Sequence, residues 1–397
     1  MRIITTTEAL QDACTRFATE EFVTVDTEFL REKTFYPKLC LIQMACPSDE
    51  LIIDPLADGI DLAPFFVLMA DTSTVKVFHS ARQDIEIMHY MGDVIPKPLF
   101  DTQVAAMVCG FGDSVGYEGL VRKLVGARID KTSRFTDWGH RPLTEKQLTY
   151  ALSDVTHLRT AYLKLKAQLD KNGRETWLAE EMAVLEARET YQSEPENAWK
   201  RLKFRARKKR NFAAFMEAAA WREREAQSRD VPRNRILKDE ALSEIATQLP
   251  REPADFRRMR AVPRGFGDSQ QAFALLKAIK KVLDGPMDHV PEFKDDPLDL
   301  MAKPTAIIDV LKVALKIASE RHHVAQKLIA TVSDLEQIAV NDEAEVRALR
   351  GWRRELFGET ALALKHGNMC IAIENGEAIL LPREAITANL PIAASAE

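Results

Sequence analysis

The run Phe22-Val-Thr-Val-Asp-Thr-Glu28 limits the possible folds of this chain more than any other stretch. Its apolar, β-branched residues favour a strand. A strand has a side-chain period of two, so Asp26 and Glu28 must point to the same face. Two carboxylates held together on a rigid strand repel each other unless something neutralises them. A hard divalent cation with oxygen ligands is the usual answer. Taken alone, the pair reads equally well as a solvated strand end, because Asp-x-Glu is a common triplet.

Two further stretches change that balance. Val75-Lys-Val-Phe-His-Ser-Ala-Arg-Gln-Asp84 reads as a strand running into the first turn of a helix. Leu143-Thr-Glu-Lys-Gln-Leu-Thr-Tyr-Ala-Leu-Ser-Asp-Val-Thr-His-Leu158 reads as an amphipathic helix opened by Thr144 as N-cap. Tyr150 and Asp154 stand at i and i+4 and share a face of that helix. Asp26, Glu28, Asp84 and Asp154 with the Tyr150 phenol make a candidate two-metal site drawn from one strand and two helices.

The order Asp-x-Glu, then Asp, then Tyr-x-x-x-Asp resembles the DEDD superfamily of 3′→5′ exonucleases. The tyrosine branch fits, because the histidine branch would need His where Thr149 stands. The resemblance is closer still to the ribonuclease D family. It is carried by Val25 to Gln43, by Thr136-Asp-Trp-Gly-His-Arg-Pro-Leu143 and by Ala198-Trp-Lys-Arg-Leu-Lys203. The resemblance implies an α/β ribonuclease H-like domain, a mixed sheet flanked by helices, with antiparallel early strands and parallel later ones. Two all-α HRDC (helicase-and-RNase-D C-terminal) bundles would follow. It also implies two divalent ions, Mg or Mn, with Asp26 bridging both and Glu28, Asp84 and Asp154 completing their shells. Tyr150 would orient the attacking water, and Phe29 would wedge against the terminal base. The expected activity is removal of 5′-mononucleotides from an RNA 3′ end, with precursor tRNA as the substrate of the family. A DNA exonuclease on the same fold, or a nucleic-acid-binding scaffold with a dead site, are the alternatives. No Gly-x-x-x-x-Gly-Lys-Ser/Thr is present, which argues against a helicase.

Charge distribution agrees with a nucleic-acid partner, although the formal net charge is only −5. Residues 1–175 carry 20 Lys+Arg against 25 Asp+Glu, whereas residues 199–285 carry 22 against 11. An acidic unit joined to a basic one suits a metal site beside a phosphate-binding module. The run Lys200–Arg210 holds eight basic residues in eleven, Lys208, Lys209 and Arg210 among them. Without interleaved acids such a face repels itself, so phosphate contact is set against a merely solvated helix face. The five cysteines show no metal spacing and read as reduced thiols. With no signal-peptide pattern and no long apolar run, the expectation is a cytoplasmic monomer that needs RNA but no membrane and no small-molecule cofactor.

The expected domains are an exonuclease domain over 1–170, a helical hinge or linker over 171–198 and a basic first HRDC domain over 199–285. A second, diverged HRDC-like domain is expected over 297–370, and a C-terminal hairpin and tail over 371–397. Asn375-Gly376 between alternating apolar residues marks the hairpin. His79 reads either as a strand-end hydrogen-bonding residue or as a substrate contact. Asp101 reads as an N-cap rather than a fifth acid, and Asp54 before Pro55 as a turn residue. All five site residues precede residue 155, so a fragment ending near Ser193 is expected to fold and cut alone.

Overall fold

The computed structural model describes residues 2–130, 132–206, 208–291 and 304–384. The first unit contains β1 (Ile3–Ile4), α1 (Thr7–Phe17), β2 (Phe22–Leu30), β3 (Lys38–Ala45) and β4 (Glu50–Ile53). It continues with α2 (Ala63–Ala70), β5 (Val75–Phe78), α3 (Arg82–Gly92), β6 (Leu99–Asp101), α4 (Thr102–Val108) and α5 (Tyr117–Leu124). Two helices complete it, α6 (Glu145–Asn172) and α7 (Glu175–Glu186). The strands form one mixed sheet in the order β1-β4-β3-β2-β5-β6. β2, β3 and β4 are antiparallel neighbours, and β5 and β6 add in parallel beside β2. This is the expected change from antiparallel to parallel. The short β1, which pairs in parallel with β4, was not legible in the sequence.

β2 runs two residues beyond Glu28, so both acids lie inside the strand. Its odd positions Val23 and Val25 are fully buried in the main core with α1 and α3. Its even positions face α6, where the Thr24 hydroxyl donates to the Val155 carbonyl at 2.9 Å. Beside the acids the β2–β3 register slips. Glu28 pairs with Leu41 and Phe29 with Leu39, leaving Cys40 as the extra residue of a bulge. Its carbonyl is taken by Arg141 at 2.7 Å, and the same guanidinium forks onto both oxygens of Asp54 at 2.7 Å. Asp54 is thus an anchor for the chain entering α6 as well as a turn residue.

The basic unit contains α8 (Lys209–Ser228), α9 (Arg233–Ile236), α10 (Asp239–Gln248), α11 (Pro253–Phe256) and α12 (Gln270–Asp284). They close around Phe215, Trp221, Leu242, Ile245 and Leu275. Gly265 in its Gly-x-Gly turn has φ +81°, and a Cβ on Gly267 would meet the Pro253 carbonyl oxygen at 2.5 Å. Both positions therefore require glycine. One residue of this core comes from the first unit: Phe35, from the loop joining β2 to β3. The Phe35 and Tyr36 amides both donate to Asp230 Oδ1, at 2.9 and 3.0 Å. The Arg233 guanidinium lies 4.4 Å from the Phe35 ring centre, and Tyr36 stacks on Tyr90 of α3 at 4.0 Å.

The last helices are α13 (Thr305–His322), a turn at Gln326–Ile329, a helix over Val332–Val340 and a final helix from Gly351 to Lys365 with a π turn at Arg354–Gly358. A two-stranded hairpin, Met369–Glu374 and Glu377–Pro382, follows. Asn375 and Gly376 both have positive φ, as the expected tight turn demands. Residues 292–303 and 385–397, which belong to the expected second bundle and tail, lie outside the described residues.

Two expectations need correction. The stretch over 171–198 is not a free hinge. Leu178 and Met182 of α7 are buried in the first unit's core, and the turn at Pro195–Arg201 puts Ala198 into the basic unit's core. The last helices are not separate from the first unit either, since one apolar cluster runs from Leu10 and Phe78 to Leu311 and Phe357. Trp177 stacks on Trp352 at 4.4 Å, Arg353 pairs with Glu180 at 2.8 Å and also with Glu181, and Arg174 donates to the His322 carbonyl at 2.6 Å. A fragment ending near Ser193 would lose the partners of Trp177, Glu180 and Arg174 and uncover Phe35, which argues against its folding alone. Among the described residues, no helix is long and apolar enough to cross a membrane.

Candidate active site

Alternation along β2 sends Asp26 and Glu28 toward α6, and α6 returns Tyr150 and Asp154 toward β2. The N-terminus of α6 is fixed by a capping box. The Gln147 amide donates to the Thr144 hydroxyl at 3.3 Å, and the Gln147 side chain accepts from the Thr144 amide at 3.0 Å. Asp26, Glu28 and Asp154 each offer a carboxylate oxygen within 4.8 Å of the others. This is the centre of the expected site.

Asp84 stands outside that triad. It sits in the first turn of α3 and is 6% exposed, with one oxygen accepting from the Thr27 hydroxyl. Its charge still reaches the triad and raises the Asp26 and Glu28 pKa values. The turn leading into α3 is held by Asp101. Its carboxylate accepts from the amides of Ser80 and Ala81 at 3.0 and 2.8 Å while capping α4 through Gln103 at 2.8 Å. Asp101 is therefore the N-cap that the sequence implied, and it also sets the left-handed Ser80, at φ +66°, that redirects the chain into α3.

The electrostatics call for a cation. Burial, then repulsion from Asp84, Asp154 and Glu28, pushes Asp26 well above the carboxylate range. Burial and the neighbouring acids raise Glu28 to about 8. Burial raises Asp154 to about 7, although the Tyr150 hydroxyl and Arg134 favour its ionised form. Asp84 is raised to about 7 by burial, against the Thr27 hydrogen bond. A half-buried set of hard oxygen donors with so little positive charge from the protein fits a divalent cation.

Asp26 and Asp154 of the triad open into a cavity of about 320 Å³ that is lined also by Tyr150, His79, Tyr117 and Arg134, among others. His79 is held through Nδ1 by the Thr102 hydroxyl at 3.0 Å, and its buried Nε2 has no partner among the described residues. It is both the strand-end hydrogen-bonding residue and a wall of the cavity. Burial lowers its pKa, so its ring is neutral near pH 7. Phe29 does not line the cavity. Strand alternation turns it away from Glu28, and it packs half-buried against the main core. Lys208 and Arg210 do not line it either. With Arg251, Lys277 and Lys280 they line a separate cleft of about 1270 Å³ in the basic unit, and Lys209 is exposed nearby.

Three residues near the acids escaped the sequence reading. Among the described residues, Arg134 is the one lysine or arginine lining the cavity. Tyr117 donates its hydroxyl to the Ser153 carbonyl at 2.9 Å and packs on His79. Gln43 pairs across the sheet with Asp26 and is fully buried, and both of its amide atoms lack a partner among the described residues. Only the register of β2 on β3 could have revealed it, by counting back from the acidic pair.

Comparison with known proteins agrees with this geometry. Residues 1–170 match a 3′-5′ exonuclease family model, and residues 211–279 match the HRDC domain. Ribonuclease D of Nitrobacter hamburgensis is 52% identical over 96% of this chain and 100% of its own length. Ribonuclease D of Bartonella henselae is 46% identical over 95% of this chain and 93% of its own. The crystal structure of Escherichia coli RNase D, an exoribonuclease involved in structured RNA processing, superposes with a TM-score of 0.78. It shares 28% identity, and the match covers 92% of this chain and 98% of that one. With an exonuclease sheet carrying a carboxylate triad, an HRDC bundle behind it and relatives matched from end to end, this chain belongs to the ribonuclease D family of 3′→5′ exoribonucleases.

Proposed function

We propose that the chain trims structured RNA, with precursor-tRNA 3′ ends as its substrate, releasing 5′-mononucleotides by a two-metal mechanism. The observation that carries this reading is the Asp26–Glu28–Asp154 triad, whose oxygens gather within 4.8 Å and two of whose members line a small polar cavity. Asp26, Glu28 and Asp154 would hold two Mg²⁺ or Mn²⁺ ions, with Asp84 adding its charge to the set. Such ions supply an activated water and stabilise the leaving 3′ oxygen. Burial and the surrounding carboxylates raise the Tyr150 hydroxyl, so it stays protonated and orients the water rather than taking its proton. The cavity lies at the small end of the ligand-pocket range, which suits one terminal nucleotide at a time.

The basic unit would carry the body of the RNA, with Lys208, Lys209 and Arg210 among its phosphate contacts. The last helices repeat its order: a long helix, a one-turn helix and a helix of about ten residues. This succession, 209–228, 233–236 and 239–248 in the basic unit, recurs as 305–322, 326–329 and 332–340. It supports a second, diverged HRDC-like bundle, here put to use as a buttress for the catalytic unit. The enzyme would act as a cytoplasmic monomer. The test is digestion of matched 5′-labelled RNA and DNA oligomers with Mg²⁺ or with chelator. A ladder shortening from the 3′ end, faster on RNA and abolished by chelator, is the expected result. Release of internal fragments, or equal rates in chelator, would overturn it.

A further inference from the structure

The segment between α5 and α6 carries an unusual pair. Phe135 is 90% exposed, more than any other large apolar side chain among the described residues, and nothing packs it into a core. Arg134, the residue before it, reaches into the catalytic cavity and draws down the pKa values of Glu28 and Asp154. The Arg134 guanidinium lies 5.1 Å from the Phe135 ring centre, so the ring stands beside the cavity mouth.

The backbone here is fixed at both ends. Ser133 is buried, and its carbonyl accepts the Thr136 amide at 3.3 Å and the Thr136 hydroxyl at 2.8 Å. That closes a four-residue turn with Arg134 and Phe135 at its two central positions. The Gln147 side chain donates to the Thr136 hydroxyl at 3.1 Å. Gln147 is also the capping-box residue at the start of α6, the helix that carries Tyr150 and Asp154. Two residues on, Trp138 is buried 6.1 Å from the Tyr150 ring. One run of hydrogen bonds thus joins the tip of the turn to the catalytic helix. A solvent-facing phenylalanine on a mobile loop needs no explanation, but one held out on an anchored turn beside a reaction cavity does.

We infer that Arg134 and Phe135 form a substrate clamp: Arg134 contacts the phosphodiester entering the cavity, and Phe135 stacks on the base just 5′ of the terminal nucleotide. The cavity takes the terminal residue, and Phe135 lies outside its lining, so the next base is the one within reach. Stacking on an aromatic face tolerates any base, as trimming of varied 3′ sequences requires. The inference rests on the exonuclease reading above and adds two substrate-contacting residues to it.

The test uses the full chain with Mg²⁺ and short single-stranded RNA carrying either a normal or an abasic residue in the penultimate position. Loss of one base–aromatic stack by alanine substitution corresponds to about 5- to 150-fold in binding. Phe135→Ala should raise KM by a factor in that range while kcat measured at saturation stays close to wild type. Phe135→Trp should restore KM. On the abasic RNA the wild type should fall to the level of the alanine variant, which should lose nothing further. Phe135 makes no core contact, so these variants will fold. Unchanged KM in Phe135→Ala, or losses from the variant and the abasic residue that simply multiply, would overturn the clamp while leaving the exonuclease reading intact. An intact chain that released no mononucleotides from either RNA would overturn that reading and the clamp with it.

Discussion

Replacing Asp84 by Asn should stabilise the metal-free protein while removing most of its activity. Asp84 is 6% exposed, and burial raises its carboxyl to about 7. An unfolded aspartate ionises near 4. Between these values the unfolded chain has released the proton and the folded chain has not, so stability falls as pH rises. The fall is complete above pH 7 and absent below about pH 4. At about 1.36 kcal/mol per pH unit, the interval from pH 5 to 7 corresponds to roughly 3 kcal/mol. Asparagine carries no such slope, and its oxygen still accepts the Thr27 hydroxyl. Denaturation in chelator, followed from pH 5 to 8, should therefore show a variant advantage that grows by roughly 2–3 kcal/mol and then levels off. Added Mg²⁺ should reverse the order, because metal binding to ionised carboxylates stabilises the wild type. Parallel pH–stability curves for the two proteins in chelator would refute the claim that burial of Asp84 outweighs its hydrogen bond from Thr27.

Tyr150→Phe should lower turnover by one to three powers of ten, the scale of a lost orienting contact, with RNA affinity almost unchanged; a loss in affinity alone would make Tyr150 a substrate-holding residue. Changing Lys208, Arg210, Lys277 and Lys280 to Ala should weaken binding of long RNA and reduce its salt slope by about 0.7 per lost contact, read from affinity at several salt concentrations; equal slopes would return the cleft to a solvated face. Phe35→Ala should cost about 3–5 kcal/mol, as for truncation of a buried aromatic, and limited proteolysis should then cut near the β2–β3 loop or within 187–206 at rates well above wild type.

The acids could be recognised in advance because their spacing obeys local rules: period two on a strand, i and i+4 on a helix. The caps at Thr144 and Asp101 and the Asn375-Gly376 turn were legible for the same reason, since each is decided within a few residues. What escaped depends on pairing between distant segments. Gln43 meets Asp26 only through strand register. Asp84 turns aside to Thr27 because burial leaves its carboxylate seeking a donor. The 171–198 stretch read as a linker from Pro195 and its polar run, yet Met182 and Ala198 are buried in two different cores. Phe35 offered no local sign that another unit would enclose it.

The enclosure of Phe35 matters for recombining these modules. The seam between the catalytic sheet and the basic bundle does not follow the chain. It passes through the loop that leaves β2 two residues after Glu28, at Phe35, Tyr36 and their partner Asp230. A chimera joined within 187–206 would give the incoming bundle a foreign phenylalanine and the wrong amide acceptor, and any misfit would be felt on the strand that holds Asp26 and Glu28. To graft a different RNA-binding bundle onto this nuclease, residues 31–37 should be exchanged together with the basic bundle, while the last helices, which share the catalytic unit's core, stay in place.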